Sequence, residues 1–286
     1  MVNMLPVNQL CTLDCPQDGY VLSDQQLEQY AAEGVLLVKQ LFAPADLQPM
    51  CTELSGRLSL LEQHYGLEVQ EDASQIAQIS DRLQQLEQRC PGAQSILYDA
   101  MNAAPSLHAS GTHPRLMSLL QQLLSPEISI HDRYIILMSM PDAEWHLASW
   151  HQDWYYNEGP WSTITLYAPL QNTDHRNGSL TFALGEHQKP PVPHDEHDHG
   201  IRTKWHSLPP DVVQGFDRVV PTALEAGDVL LFHSLTPHTP SKNQSEHVRF
   251  VLNLRYRDLR DPQFLKDGWR IKEITHARKA MQRTAS

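Results

Sequence analysis

Apolar residues recur at three- and four-residue intervals in the first part of the chain and in short alternating runs in the second. That change of period predicts helices first and strands afterwards. The earliest helix is DQQLEQYAAE, led by Ser23 with Gln26 three residues on, a capping-box pattern, and closed by Gly34 where a helix C-cap belongs. The β-branched run VLLVKQLF, residues 35–42, follows as a predicted strand. Pro44 suits the first turn of a longer helix whose Leu47, Met50, Leu54, Leu58 and Leu61 form one stripe. Residues 66–92 are glutamine-rich and weakly periodic, and support only helix with loop. Thr112, ahead of Pro114, is the expected N-cap of a helix carrying Leu116, Leu119, Leu120 and Leu123.

After Pro126 come the runs ISIHDRYIILMSM, STITLYAPL, GSLTFAL, DVLLFHSL and VRFVLNLRY, divided by Gly, Pro and Asn, with Asn177-Gly178 the clearest hairpin turn. The expected fold is mainly β with α: a double-stranded β-helix, that is, a jelly-roll or cupin-like barrel, braced by N-terminal helices. The 286 residues read as one domain. Within it, 1–125 are mostly helical, 126–257 form the jelly-roll core and 258–286 a C-terminal extension. Residues 186–211, rich in His, Pro and Asp, read as an insertion between strands, a mobile lid at the cavity mouth. Its HDEHDHG stretch, residues 194–200, reads as a solvated loop.

The balance of 22 Lys+Arg against 34 Asp+Glu gives a formal charge of −12, the wrong sign for a phosphate backbone, so nucleic acid is not an expected partner. Cys11, Cys15, Cys51 and Cys90 lack paired CxxC spacing and read as reduced thiols; a metal site built on Cys11 and Cys15 is disfavoured. No apolar run approaches the roughly 18 residues of a membrane span, and MVNMLPVNQL lacks the features of a targeting peptide. The C-terminal RTAS is not the usual peroxisomal address. The expectation is a cytoplasmic protein without membrane attachment or an obligatory protein partner.

WHQDWYYN, residues 150–157, carries the chemistry. In an extended strand His151 and Asp153 leave the same face, offering one imidazole nitrogen and one carboxylate oxygen to a single ion. A third ligand is required, and His233 and His238, on or just after DVLLFHSL, are the candidates. His131 and Asp132 are adjacent, face opposite sides of a strand and cannot imitate the pair. On VRFVLNLRY, Val248, Phe250, Leu252 and Leu254 share one face while Arg249, Val251, Asn253 and Arg255 share the other. An arginine inside a small barrel is costly unless it meets an anion, so a cavity with both a metal and a carboxylate-bearing small molecule is implied. Two histidines and a carboxylate leave three octahedral positions open, which suits non-haem iron. A 2-oxoglutarate chelating that iron would leave its far carboxylate to an arginine and one position to dioxygen.

These residues resemble the phytanoyl-CoA dioxygenase family of Fe(II)/2-oxoglutarate oxygenases. That family has an HxD motif, a distal histidine and an arginine eleven residues beyond it. His151-Gln152-Asp153 matches the HQD form, and counting back from Arg249 selects His238 over His233. Asn177-Gly178-Ser179-Leu180, Gly185-Glu186-His187 and Ala226-Gly227-Asp228 are similar to further family segments, as is LSDQQLEQYAAEGVLLVKQLFAPADL. The resemblance runs from about residue 20 to 257. It implies Fe(II), 2-oxoglutarate and O2 as cofactor and co-substrates, with His151, Asp153 and His238 on the metal and Arg249 on 2-oxoglutarate. Tyr167 is implied as an aromatic beside the co-substrate, and Thr239 or Ser241 as a helping hydroxyl. The sequence departs from the family after the distal histidine, where Thr239-Pro240-Ser241 replaces glycine and serine.

Tyr155, Tyr156 and Trp161 are candidate substrate walls. The expected reaction is hydroxylation of an unactivated C–H bond of a small metabolite, a natural-product intermediate or amino-acid-like compound, with release of succinate and CO2. Asp153 argues against a halogenase, where a small residue frees a place for chloride. The alternatives are a cupin-like hydrolase or isomerase that does not use 2-oxoglutarate, a binding protein with a vestigial metal site, and a hydroxylase of an acyl-CoA. An acidic chain is a poor host for the last of these.

Overall fold

The computed structural model describes residues 6, 9–14, 20–69, 75–102, 104–131, 135–143, 149–157, 159–198, 204–266 and 268–269. Cys15, Asp132, His199, Gly200 and the terminal RTAS, all considered above, lie outside the described residues.

Helix α1 spans Asp24–Glu33. The Ser23 hydroxyl accepts from the Gln26 N–H, and the Gln26 side chain accepts from the Ser23 N–H at 3.0 Å, so the capping box forms as read. Gly34 closes the helix in the left-handed region at φ 77°, with its N–H on the Tyr30 carbonyl. The strand that follows ends at Val38, short of the expected Phe42. Gln40 turns away at φ 50°, its backbone and side-chain N–H groups both donating to the buried Asp228 carboxylate, which also pairs with Lys39. Asp228, in the Ala226-Gly227-Asp228 segment, therefore fixes where this strand stops.

Helix α2 (Pro44–His64) buries Leu47, Met50, Leu54 and Leu58. Against it pack α3 (Ile76–Arg89), α4 (Ala93–Met101) and α5 (Pro105–Gly111). The glutamine-rich stretch was hard to read because α3 buries only a thin apolar stripe, Ile79, Leu83 and Leu86, alongside an arginine. That Arg82 is 2% exposed, donates to both Glu62 oxygens (3.0 and 2.6 Å), and gives its remaining N–H groups to Ser55 and Ser59. Helix α6 (Pro114–Leu123) has His113, not Thr112, at its N-cap. Pro114 takes the first helical position, so the cap falls on its immediate predecessor, while the Thr112 hydroxyl bonds back to the His108 carbonyl at the end of α5.

The strands in chain order are β1 (Cys11–Leu13), β2 (Val35–Val38), β3 (Ile128–Ile130), β4 (Ile135–Ser139), β5 (Ile164–Pro169) and β6 (Leu180–Ala183). They continue with β7 (Asp195–Asp198), β8 (Lys204–Ser207), β9 (Val219–Pro221), β10 (Val229–His233), β11 (His238–Pro240) and β12 (Arg249–Asp258). Among the described residues the large sheet runs β1-β2-β10-β5-β12-β3, with β4 also on β12, and the small sheet runs β11-β6-β9. The parallel edge strand β1 and the short β9 were not legible in the pattern.

Period-two alternation sorts each central strand between two cores. Leu36 and Val38, Leu166 and Ala168, Val229 and Leu231, and Phe250, Leu252 and Leu254 face the helices. Val35 and Leu37, Tyr167, Leu230 and Phe232, and Val251 face the interior, where Leu180, Phe182 and Val220 of the small sheet meet them. The result is a jelly-roll core with helices packed on the outer face of its large sheet. No helix among the described residues is long and apolar enough to cross a membrane.

The insertion contains regular elements that its composition did not reveal. It holds a turn of 3-10 helix at Glu186–Gln188, the antiparallel hairpin β7-β8 and a short helix at Pro210–Gln214. Glu62→Gln is expected to lower unfolding free energy by about 3–5 kcal/mol in urea titrations, since it leaves the buried Arg82 charge unpaired. It should leave metal affinity unchanged, because the pair lies in the helix layer.

Candidate metal centre

His151 and His238 face each other across a backbone bridge, each donating its N–H to the other's carbonyl at 3.0 Å. The expected strand through His151 does not continue. The chain turns at Asp153 into a short helix, α7 (Trp154–Asn157), which caps the site. The Nδ1 of His151 lies 2.8 Å from the Ser149 carbonyl and that of His238 lies 3.0 Å from the Thr236 carbonyl. A carbonyl can only accept, so both Nδ1 atoms carry the proton and both Nε2 lone pairs are free to ligate.

Those Nε2 atoms converge on one oxygen. Asp153 Oδ1 is 3.7 Å from His151 Nε2 and 3.8 Å from His238 Nε2, and the three residues, all buried, offer ligand atoms within 4.8 Å of one another. Bond lengths of about 2.0–2.2 Å place two donors of one ion at most about 4.4 Å apart, a limit that the 3.7 and 3.8 Å spacings satisfy. Burial alone would raise the Asp153 carboxyl, but the Arg255 guanidinium beside it holds it well below the usual carboxylate range. Burial, with His151 alongside, pushes His238 down to about 3 and keeps its ring in the neutral, ligating form. His233 cannot substitute. It leaves β10 on the side of Leu231, away from the interior, and its Nδ1 accepts the Leu235 N–H.

Arg249 enters the same interior at 5% exposure. Its Nη2 donates to Ser139 Oγ at 2.6 Å, while Nε and Nη1 are buried with no partner. Gly178, at φ 92°, lies so close that a Cβ there would sit 2.3 Å from Nη1. The Asn177-Gly178 turn is not the expected hairpin, because it joins β5 and β6, which lie in different sheets; it is glycine-specific for two reasons, its backbone region and the guanidinium above it. Tyr167, on β5, shares this face and its hydroxyl is also buried without a partner. Burial raises that hydroxyl's pKa and the Arg249 charge opposes it. Three buried donors without partners suit a carboxylate ligand.

The other candidates divide. Tyr156 sets its ring edge-on to His151 at 5.4 Å and exchanges two 2.9 Å hydrogen bonds with the His206 backbone. Tyr155 stacks on His194 at 4.2 Å. His194 is buried, contrary to the solvated loop expected for its stretch, and its Nε2 accepts the Gln152 N–H. Gln152 also accepts from Val192, and Leu208 donates to the Trp150 carbonyl, so the insertion is tied to the HQD segment at several points. Trp161 is 48% exposed and apart from the triad. Thr239 leaves β11 on the face opposite His238, and Ser241 Oγ reaches only the Ser179 carbonyl, at 3.4 Å. The hydroxyl on Arg249 belongs to Ser139, which the pattern placed on a strand but gave no reason to single out.

The sequence profile of the family described as Phytanoyl-CoA dioxygenase (PhyH) matches residues 30–251. The chain belongs to the phytanoyl-CoA dioxygenase family. It is therefore an oxygenase of the Fe(II)/2-oxoglutarate-dependent class, and the donor set above suits that metal and co-substrate. Among its relatives is Phytanoyl-CoA dioxygenase, peroxisomal, of Bos taurus, 24% identical over 254 residues covering 85% of this chain and 70% of the relative. The Rattus norvegicus protein of the same name is 22% identical, covering 85% and 72%. Similar folds occur in the non-heme monooxygenase ThoJ (TM-score 0.57, 17% identity, 82% of this chain and 77% of that one) and in EctD from S. alaskensis with bound Fe (0.53, 16%, 86% and 80%). The epimerase SnoN, in complex with Fe3+, alpha ketoglutarate and nogalamycin RO, is another (0.55, 16%, 81% and 82%).

Alanine at His151, Asp153 or His238 is expected to weaken Fe(II) or Ni(II) binding by about 100-fold or more in calorimetric titrations, exceeding the roughly 10–100-fold typical of residues that only orient ligands. His233→Ala should bind metal normally; the reverse pattern would put the distal ligand on the wrong histidine.

Proposed function

We propose that this chain hydroxylates an unactivated C–H bond of a small-molecule metabolite and converts 2-oxoglutarate to succinate and CO2 as it does so. The observation that carries the proposal is the pair of buried, unpartnered Arg249 nitrogens on the inner face of β12, with the unpartnered Tyr167 hydroxyl on the interior face of the neighbouring β5. In this reading His151, Asp153 and His238 hold Fe(II), Arg249 grips the far carboxylate of 2-oxoglutarate, and Tyr167 adds a hydrogen bond. Ser139 keeps the guanidinium turned toward its ligand. The iron, when bound, supplies activation of dioxygen. The protein excludes water around it, positions the substrate, and leaves open the positions that three protein ligands do not occupy.

A cupin-like hydrolase or isomerase gives Arg249 nothing to bind, and an intact carboxylate ligand disfavours a halogenase. Tyr156, against His151, and Tyr155, on the insertion side, are the best substrate walls. Thr239, Ser241 and Trp161 have no evident part in it. The substrate is read as a natural-product intermediate or amino-acid-like compound. The net charge of −12 disfavours the polyanionic CoA thioester that the curated relatives' name suggests. We read the chain as a single cytoplasmic domain with no obligatory protein partner.

With Fe(II) and ascorbate, one compound of a metabolite panel is expected to raise succinate formation well above the substrate-free rate. Arg249→Ala should weaken 2-oxoglutarate binding by about 100-fold or more, because a buried carboxylate pair broken from one side costs about 3–5 kcal/mol. Metal affinity should hold. Arg249→Lys should recover only part, since an ammonium lacks the planar fork. An Arg249→Ala protein with normal 2-oxoglutarate affinity would remove the main support for the oxygenase assignment.

A further inference from the structure

A second arginine faces the cavity. Arg255 lies on the same inward face of β12 as Arg249, beyond Val251 and Asn253, and is 7% exposed. Its Nη2 is 3.2 Å from Asp153 Oδ2, and the Thr165 hydroxyl donates to that same oxygen at 2.7 Å. The two oxygens of Asp153 thus have separate duties: Oδ1 faces the imidazoles and Oδ2 is held back by two donors. This arrangement would leave Asp153 one oxygen, Oδ1, to offer a bound metal.

Holding Oδ2 uses only one of the guanidinium's nitrogens. Nε and Nη1 are also buried and have no partner. A carboxylate pair that served Asp153 alone would normally be two-pronged, and buried N–H groups left unpaired are costly. Charge points the same way. Two guanidiniums and a dication against the single carboxylate of Asp153 leave three positive charges at the site, of which a dianionic 2-oxoglutarate offsets two. One positive charge then remains at the Arg255 end.

We infer that Arg255 is a second anion seat: one N–H of Nη2 positions Asp153, and a fork that Nη2 shares with the unpartnered Nη1 or Nε receives a carboxylate brought by a ligand at the metal. This rests on the metal and 2-oxoglutarate reading above. The carboxylate comes either from the chelating end of 2-oxoglutarate or from the oxidised substrate, which would then be an organic acid.

The test is calorimetry on the Ni(II)-loaded protein, its Arg255→Gln and Arg255→Lys variants, and Arg249→Gln. The probes are 2-oxoglutarate, pyruvate, which has a chelating end but no far carboxylate, and propionate added with and without 2-oxoglutarate. If the seat takes the chelating carboxylate, Arg255→Gln weakens pyruvate and 2-oxoglutarate alike, by tenfold or more, whereas Arg249→Gln weakens only 2-oxoglutarate. If it takes the substrate's carboxylate, Arg255→Gln spares both but abolishes propionate binding. In either case Arg255→Lys falls between, and it carries the test if thermal melting finds the Gln variant unfolded. Arg255→Gln with weaker metal binding but unaltered affinity for all three probes overturns the seat and leaves Arg255 serving Asp153 alone. Failure of the underlying reading looks different: wild-type protein would hold Ni(II) yet bind neither pyruvate nor 2-oxoglutarate, and Arg255-dependent propionate binding would still report the seat.

Discussion

An interior strand face that carries buried guanidinium groups has to be supplied with negative charge. Arg249 and Arg255 leave the same face of β12, both nearly sealed from water; Arg255 meets the Asp153 carboxylate, whose Oδ2 it shares with Thr165, while Arg249 has only the Ser139 hydroxyl. The same carboxylate turns its other oxygen to the two imidazoles. Moving a charge into such a place without a partner is strongly unfavourable. Asp153 thus ties the proposed metal site to Arg255, while Arg249 is held separately by Ser139.

The scaffold makes this balance tolerable. The opposite face of β12 is built from Phe250, Leu252, Leu254 and Tyr256, which pack in the core shared with the helices and fix the strand while its inner face carries the arginines. Hydrogen bonding to β5 on one edge and to β3 and β4 on the other fixes its register. A slip of one residue would drive both arginines into the helix layer. Gly178 completes the enclosure, since only a residue without a side chain lets the turn close over Arg249. On the other side, Gln152 ties the insertion to the ligand segment through Val192 and His194, so the segment that carries two ligands is held from both directions.

How much of this was legible in the sequence follows from how local each signal is. The α1 capping box, the β12 alternation and the HQD spacing are short-range patterns, and each appears where the sequence put it. Choosing His238 over His233 needed the family spacing, because only the fold reveals that β10 sends His233 toward the helices. The strand expected over 35–42 ran too long because its stop depends on Asp228, far along the chain. Ser139 and Thr165 were missed as site residues for a similar reason. A lone hydroxyl in an apolar strand carries no signal until its partners, Arg249 and Asp153, are brought beside it. The insertion was misjudged because its composition is polar, although His194 and Leu208 are buried once the hairpin docks.

The central claim is that one cavity binds the metal and a 2-oxo acid together, and an anaerobic titration reads this directly. Fe(II) bound to the protein should be nearly colourless, and adding 2-oxoglutarate should produce the visible charge-transfer absorption of a 2-oxo acid chelated to Fe(II), saturating at one equivalent per chain. The same titration on Asp153→Ala should give no band. If the wild-type protein holds Fe(II) tightly and 2-oxoglutarate adds no absorption at any concentration, the metal site serves some other chemistry and the account is wrong.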